Sequence, residues 1–285
     1  MKTNTEDARI DGSTRLFGIV GHPIAQVKTP QLMNAIFDAT GINAICLPFD
    51  APVERFGPIV HGLKAIANLD GLVITVPHKL RAMELVDTVS PVAQRVGAIN
   101  VMRRETDGTW LGDMFDGTGL VQGLAPLGFH LRGKRVKQIG AGGAGAAVAH
   151  ALAEAGAAAI ALSDPRQEVL SQLVARMRHF HPACNVEIDD NPTNVTDVDL
   201  LINCSPVGMG ANDGMPAPFD DFPGVLQVVD IIMTPAETPL LKHARRCGCH
   251  ATNGLPMIHG QLKEFARFFG VDLPDAAPPS LNHPM

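Results

Sequence analysis

The chain reads as an α/β protein of two domains, and three observations carry that reading. Short apolar runs alternate with helical stretches along most of its 285 residues, the pattern that builds sheets covered by helices. Length and a hydrophobic content of 46% suffice for two domains of ordinary size. The third observation is the stretch from Lys137 to Pro165. An apolar run ends at Ile139, glycines follow at Gly140, Gly142 and Gly145, and an alanine-rich segment runs unbroken to Ala155. A second apolar run, Ala158 to Leu162, leads to Asp164, 24 positions beyond the first glycine (164 minus 140). Strand, glycine turn, helix, strand and acid at that spacing form an arrangement that holds a dinucleotide. Gly140 permits the tight turn, Gly142 lets the backbone approach a pyrophosphate, and Gly145 lets helix and strand pack closely. Gly143 and Ala144 open the helix whose first N–H groups face the phosphates. Asp164 is placed to accept hydrogen bonds from the adenine ribose hydroxyls. A purely structural turn between strand and helix explains the glycines but not the acid.

Composition removes several classes of function. The net charge is −6 with no basic run, so neither nucleic acid nor an anionic membrane is an expected partner. Met1 to Arg15 is polar and mixed in charge, unlike a signal peptide. The alanine-rich region contains His150 and Glu154 and breaks at Gly156, so it is no transmembrane span. Five cysteines suit a reducing cytoplasm better than a disulfide framework. Cys247, Cys249 and His250 lack a fourth ligand at finger-like spacing, so no metal is expected. The absence of tyrosine excludes a tyrosine-lysine dehydrogenase mechanism.

Along the chain, Leu16 to Val20 reads as a strand leading to Gly21-His22-Pro23-Ile24. Thr29 and Pro30 open a helix, with Thr29 as N-cap and an apolar stripe at Leu32, Met33, Ile36 and Phe37 that ends at Gly41. Ala44 to Phe49 is a strand, Phe56 to Ala67 a helix, and Gly71 to Val76 a strand closed by Pro77-His78-Lys79. Helical patterning continues through Leu85, and Val96 to Met102 is another strand. Asp107-Gly108 signals a hairpin, and after the segment Leu111 to Gly119 a helix runs toward Leu127. Beyond the glycine turn, Leu200 to Asn203 and Val225 to Ile232 are strands, with loop from Pro216 to Pro223. Thr238-Pro239 starts a helix, Ala251 is strand-like, and Gly254 to Phe269 is a last helix before a proline-rich tail. Domain junctions are expected near Asp116 and Gly254.

Eight segments in order resemble the shikimate/quinate dehydrogenase family over nearly the whole chain. They are Gly21-His22-Pro23-Ile24, Val73 to Lys79, Gly97-Ala98-Ile99-Asn100, Phe115-Asp116-Gly117-Thr118-Gly119, Gly140 to Gly145, Asn203 to Met209, Thr238-Pro239-Leu240-Leu241 and Gly260-Gln261. The resemblance implies a substrate-binding domain over residues 1–115, joined by the C-terminal helix 255–285, and a Rossmann domain over 116–254, with the reaction in the cleft between. It also implies Lys79 and Asp116 as the catalytic pair. Transfer of a hydride from a secondary alcohol requires its hydroxyl proton to leave. A lysine can take that proton if burial lowers its affinity for protons, and a neighbouring aspartate holds its position and charge. On the residues alone, Lys79 also reads as a solvated lysine at a helix start and Asp116 as an N-cap. The resemblance further places Val27, Thr29, Thr75, Asn100 and Gln261 around the substrate. Around the cofactor, NAD or NADP, it places Asp164, Arg166, Ser205, Pro206, Gly208, Met209, Met233 and Gly254 beside the glycine turn.

The expected substrate pocket departs from the family. Val27 stands where a hydroxyl commonly grips the substrate carboxylate, Val73 where an asparagine is usual, Met233 where a tyrosine is common, and Met114-Phe115 where Asn-Thr precedes the aspartate. Each lost hydrogen bond to a carboxylate is worth about 1.5–3 kcal/mol. The triplet Ser163-Asp164-Pro165 replaces the Asn-Arg-Thr common in members that use NADP. An aspartate about 4 Å from a 2′-phosphate costs up to about 4 kcal/mol per charge pair at an effective dielectric near 20. Arg166 offsets part of this, and NAD is the expected preference. The leading expectation is a cytoplasmic monomer or homodimer that reversibly transfers a hydride between the nicotinamide and the secondary hydroxyl or ketone of shikimate, quinate or a related cyclic hydroxy acid. The same chemistry on a less polar substrate, and a nucleotide-binding regulator without turnover, are the alternatives.

Overall fold

The computed structural model describes residues 10–271; the first nine residues and the proline-rich tail from Asp272, both given expectations above, lie outside the described residues. The chain divides into two compact units. The first runs to Ala93, resumes at Ala98–Met114 and takes in the chain from Leu262 onward; the second holds Gln94–Gly97 and Phe115–Gln261.

The first unit carries a six-stranded sheet in the order β2-β1-β3-β5-β6-β4. Its strands are β1 (Arg15–Gly21), β2 (Ala44–Asp50), β3 (Leu69–Ile74), β4 (Thr88–Val89), β5 (Val101–Arg104) and β6 (Trp110–Asp113). β1 pairs parallel with β2 and β3, whereas β3–β5 and β5–β6 are antiparallel. The Asp107-Gly108 hairpin joins β5 to β6, with Gly108 at φ +87°. Helix α1 (Thr29–Thr40) buries Leu32, Met33, Ile36 and Phe37 and ends at Gly41 in the left-handed region (φ +68°). A Phe17–Phe37–Phe269 cluster, with neighbouring ring centroids 5.5 and 5.0 Å apart, fills the core beneath β1.

Four local expectations need correction here. Lys28, not Thr29, occupies the N-cap of α1 and makes no side-chain cap bond; Thr29 is the first helical residue and is buried. Helix α2 (Phe56–Lys64) stops short of Ala67. The stretch to Leu85 closes as a 3₁₀ turn, Arg81–Leu85. Val96 ends the short helix α3 (Pro91–Val96) instead of starting a strand, because Gly97 takes φ +76° and breaks the extended run.

The second unit holds six parallel strands in the order β12-β11-β10-β7-β8-β9. They are β7 (Arg135–Ile139), β8 (Ala159–Ser163), β9 (Asn185–Ile188), β10 (Leu200–Asn203), β11 (Gln227–Asp230) and β12 (His250–Thr252). Counted from β7 this is the doubly wound order 3-2-1-4-5-6 read in reverse, with its switch point between β7 and β10. Its helices are α4 (Asp116–Leu124), α5 (Gly143–Glu154), α6 (Gln167–Phe180) and α7 (Pro239–Arg246); α8 (Leu255–Phe268) begins in this unit and continues into the first from Leu262. Sequence reading passed over α6 and β9. Their polar faces dilute the apolar signal, although Leu170, Leu173, Val174 and Met177 lie buried at helical spacing. α7 begins as its sequence suggests, with the Thr238 hydroxyl accepting the Leu241 N–H at 3.3 Å.

Candidate functional site

In the second unit the glycine turn sits at the C-terminal end of β7, beside the switch point. Gly140 adopts φ +104°, and a Cβ there would fall 2.6 Å from the Cys204 carbonyl carbon. A Cβ on Gly145 would lie 2.1 Å from the Gly140 oxygen, so α5 touches the strand end only because that position is bare. Gly142 differs. A Cβ there would meet only Arg166 Nη2, at 3.5 Å, so packing within the protein does not require glycine and the space beside the backbone stays open for a ligand. α5 starts at Gly143, which leaves first-turn N–H groups without intrahelical acceptors facing that space. The turn fits a pyrophosphate.

Gln138, which the sequence reading left unassigned, holds the turn in shape. Its buried Nε2 donates to the carbonyls of Gly140 and Gly145 at 3.0 and 2.8 Å. Asp164 is engaged more fully than expected. Its Oδ2 accepts from the Ala141 N–H (2.8 Å) and Arg166 Nη2 (2.8 Å), and its Oδ1 from the Arg166 N–H and Nε, both at 2.9 Å. A carboxylate offers about four lone-pair positions, and all are taken. Burial pushes the Asp164 pKa up, but the hydrogen bonds from Arg166 and Ala141 outweigh it and the carboxyl stays below its ordinary value.

A buried polar network supports the neighbouring loop, and it was not foreseen. Asp230, with no exposed surface, accepts from Thr238 Oγ1 (2.7 Å), the Ile232 N–H (3.1 Å) and Asn203 Nδ2 (3.1 Å). Asn203 Oδ1 in turn accepts from the N–H and hydroxyl of Ser205 at 3.0 and 2.7 Å. Desolvation raises the Asp230 pKa to about 6 against these bonds. The network fixes the loop carrying Ser205, Pro206, Gly208 and Met209, and also the start of the segment carrying Met233. Gly254 packs alongside, where a Cβ would lie 2.0 Å from the Ile231 oxygen. The visible signal was a run of strand-end polar residues, which alone does not say that they bond one another.

Asp116 opens α4 and is buried, its Oδ1 accepting from Gln261 Nε2 at 2.9 Å. The glycines after it bring helices together: a Cβ on Gly117 would lie 2.1 Å from the Ala147 oxygen of α5, and one on Gly119 2.3 Å from Gln261 Cγ. Asp116 and Gln261, 145 residues apart in sequence, therefore meet because α4 is bare where α8 crosses it.

In the first unit, Thr75, Lys79 and Asn100 gather at the C-terminal end of β3. The Thr75 N–H donates to the Val20 carbonyl (2.9 Å), the Ile74 N–H to the Asn100 carbonyl (2.7 Å) and the Ile99 N–H to the Lys79 carbonyl (3.0 Å). Lys79 and Asn100 are buried, at 9% and 1% exposure. Val73 shares a strand face with Thr75, since alternate residues point the same way, and Val73 and Met114 are both buried. Val27 is half-buried in the loop before the buried Thr29. His78 is structural: its Nε2 lies 2.7 Å from the Ala51 carbonyl and its ring stacks on Phe56 at 4.0 Å. Among the described residues no helix is long and apolar enough to cross a membrane, and all five cysteines are free.

The shikimate dehydrogenase substrate binding domain family matches residues 19–102. The shikimate dehydrogenase (NADP(+)) of Geobacter sulfurreducens is 38% identical over 266 residues, covering 88% of this chain and 89% of that protein. Among solved structures, shikimate 5-dehydrogenase of Listeria monocytogenes in complex with shikimate and NAD aligns with TM-score 0.80 and 28% identity, covering 93% of this chain and 95% of that one. Quinate dehydrogenase of Corynebacterium glutamicum in complex with NAD aligns with TM-score 0.78 and 27% identity, covering 92% and 95%. With the doubly wound sheet, its glycine turn and relatives of this coverage, the chain belongs to the shikimate dehydrogenase family of NAD(P)-dependent oxidoreductases.

Proposed function

We propose that this chain interconverts the secondary hydroxyl and ketone of shikimate, quinate or a related cyclic hydroxy acid. The first unit binds the substrate and the second the dinucleotide. When bound, the nicotinamide accepts or returns the hydride. The chain's own residues handle the proton and the grip on substrate. Lys79 takes the hydroxyl proton on oxidation and returns it on reduction, and Asp116, oriented by Gln261, supplies the carboxylate paired with that chemistry. Thr29, Thr75 and Asn100 bond substrate oxygens. The observation that supports this most directly is a buried lysine beside a buried asparagine and a threonine at one strand end, in a first unit that carries the family's substrate domain.

Val27, Val73 and Met114 favour a substrate with fewer hydroxyls than shikimate, because a buried polar group facing valine goes unpaired. NAD is the preferred cofactor in this reading. Asp164 repels a 2′-phosphate, and the Arg166 guanidinium that would attract one is already paired with it. The five free cysteines suit a cytoplasmic enzyme. Initial rates with NAD and NADP, each with shikimate and quinate, alongside Lys79→Ala, test the whole reading. Turnover with NAD that collapses in the variant supports it. Cofactor binding without turnover on any hydroxy acid would favour a regulator instead, and faster turnover with NADP would overturn the cofactor preference.

A further inference from the structure

Away from the dinucleotide end, the loop 216–224 and α7 carry a donor cluster that the oxidoreductase chemistry does not use. His243 lies on α7 and Cys247 caps its C-terminus four residues later, so both leave the same helix face. Asp221 reaches that face from the loop. Phe219 and Phe222 root the loop in the hydrophobic core shared with Leu240 and Ala244. The Phe222 ring meets the His243 ring edge to face at 4.7 Å, and the Phe222 N–H donates to Cys247 Sγ at 3.4 Å. Core packing on both sides therefore sets the positions of these donors.

The spacing is that of a coordination polyhedron. Cys247 Sγ lies 3.7 Å from Asp221 Oδ1 and 3.8 Å from His243 Nε2. A tetrahedral zinc ion, with Zn–S about 2.3 Å and Zn–N or Zn–O about 2.0–2.1 Å, places sulfur about 3.5–3.6 Å from the other donors. Two edges thus match to within about 0.3 Å. The donor atoms all lie within 4.8 Å of one another, and the third edge closes by rotation of the exposed Asp221 side chain. We propose that Asp221, His243 and Cys247 form a three-ligand site for a divalent transition-metal ion of the zinc type, with solvent as fourth ligand. Thiolate and imidazole select such an ion over magnesium or calcium. The set is not the Cys247, Cys249 and His250 grouping that local sequence suggests, because Cys249 is buried against the Pro223 carbonyl.

Binding requires three local changes. Cys247 releases its thiol proton. His243 moves its one proton from Nε2, which donates to the Asp220 carbonyl 3.0 Å away, to Nδ1, so that Nε2 leaves that carbonyl and turns its freed lone pair to the metal. Arg246, now 2.9 Å from His243 Nδ1 and 3.5 Å from Asp221, turns out into solvent. The bound ion ties the loop to α7 and stabilises the second unit.

Titration of the full, tag-free chain with cobalt(II) tests this. The expected result is a thiolate-to-cobalt charge-transfer band with the intense visible bands of four-coordinate cobalt, displaced by zinc. Cys247→Ser should abolish the charge-transfer band. Asp221→Ala and His243→Ala should each weaken cobalt binding by more than the roughly ten- to hundredfold cost of a lost outer-sphere partner. Arg246→Ala, which removes a competing cation, should tighten it. Circular dichroism confirms that each variant folds. Absence of the band from the wild-type chain, its survival in Cys247→Ser, or its loss in Cys249→Ser with Cys247 intact would overturn the site.

Discussion

The dinucleotide end of the second unit and the strand-end face of the first are specified in different terms. At the first of these, Gly140, Gly145 and Gly117 are fixed by backbone: an added Cβ would fall 2.1–2.6 Å from a main-chain carbonyl. At the second, the surroundings of Lys79 are fixed by side-chain identity, and a threonine, an asparagine or a valine fits the same backbone. The first kind of site tolerates almost no change and keeps its ligand class. Under the proposed function the second kind changes its substrate without disturbing the fold, and Val27 and Val73 stand at such positions.

The largest expected effect falls in the first unit. Lys79→Ala should lower kcat by about 10²–10⁴, the range for a lost acid–base group, with cofactor affinity measured by fluorescence titration unchanged. A parallel loss of cofactor binding would show that the two regions are not separable in this way.

Next comes acid stability, which the second unit should dominate. Burial, then repulsion by His181, Arg176 and Arg95, lowers the His150 pKa to about 3. The unfolded chain therefore binds this proton first, and stability falls as pH drops from about 6.5 toward 3, by at most about 1.4 kcal/mol per pH unit. Asp230 acts in the opposite sense: its pKa is raised to about 6, so its contribution to stability declines as pH rises from 3.8 through 6. Urea melts of His150→Leu between pH 4 and 7 should show a shallower acid decline than the parent. An equally steep decline would assign it to other groups.

A paired glycine experiment separates packing from ligand contact. Gly145→Ala should cost about 1–3 kcal/mol of stability through overpacking and weaken cofactor binding as well. Gly142→Ala should weaken cofactor binding while leaving Tm unchanged, since its Cβ meets only the tip of Arg166. Equal losses of Tm in both would end the distinction.

In the first unit, Val27→Ser should lower KM for shikimate by roughly tenfold or more, one carboxylate hydrogen bond being worth about 1.5–3 kcal/mol, with Tm little changed. An unaltered KM would mean that the loop holds the carboxylate by other groups. The smallest effect is expected for Arg166→Ala. It frees lone pairs of the buried Asp164 and should raise the NAD-to-NADP ratio of kcat/KM about fivefold, in line with one hydrogen-bonded interaction worth about 1 kcal/mol.

Legibility followed the same division. The glycine turn, its acid and the alternation of strands and helices could be read directly, because backbone constraints leave single-residue marks at fixed spacing. The apolar stripe of α1 and the hairpin at Asp107-Gly108 were legible for the same reason. α6 and β9 were missed because half their surface is polar, and the strand expected at Val96 failed because Gly97 turns the chain there. Asp230, Asn203 and Gln138 stayed hidden because a polar residue at a strand end looks the same whether or not it has a buried partner.

Sequence by itself determined the class of fold and the dinucleotide turn, since each rests on local spacing or on a motif within a few residues. Tertiary structure alone decided which distant groups meet. Gln261 reaches Asp116 because α8 crosses the bare face of α4. Asp230 lies under the Ser205 loop because β10 and β11 run side by side. Asp164 reaches the Ala141 N–H because β7 and β8 run side by side. Hydrogen bonds and ion pairs act over about 3 Å, and only the folded chain brings residues that far apart in sequence within that distance.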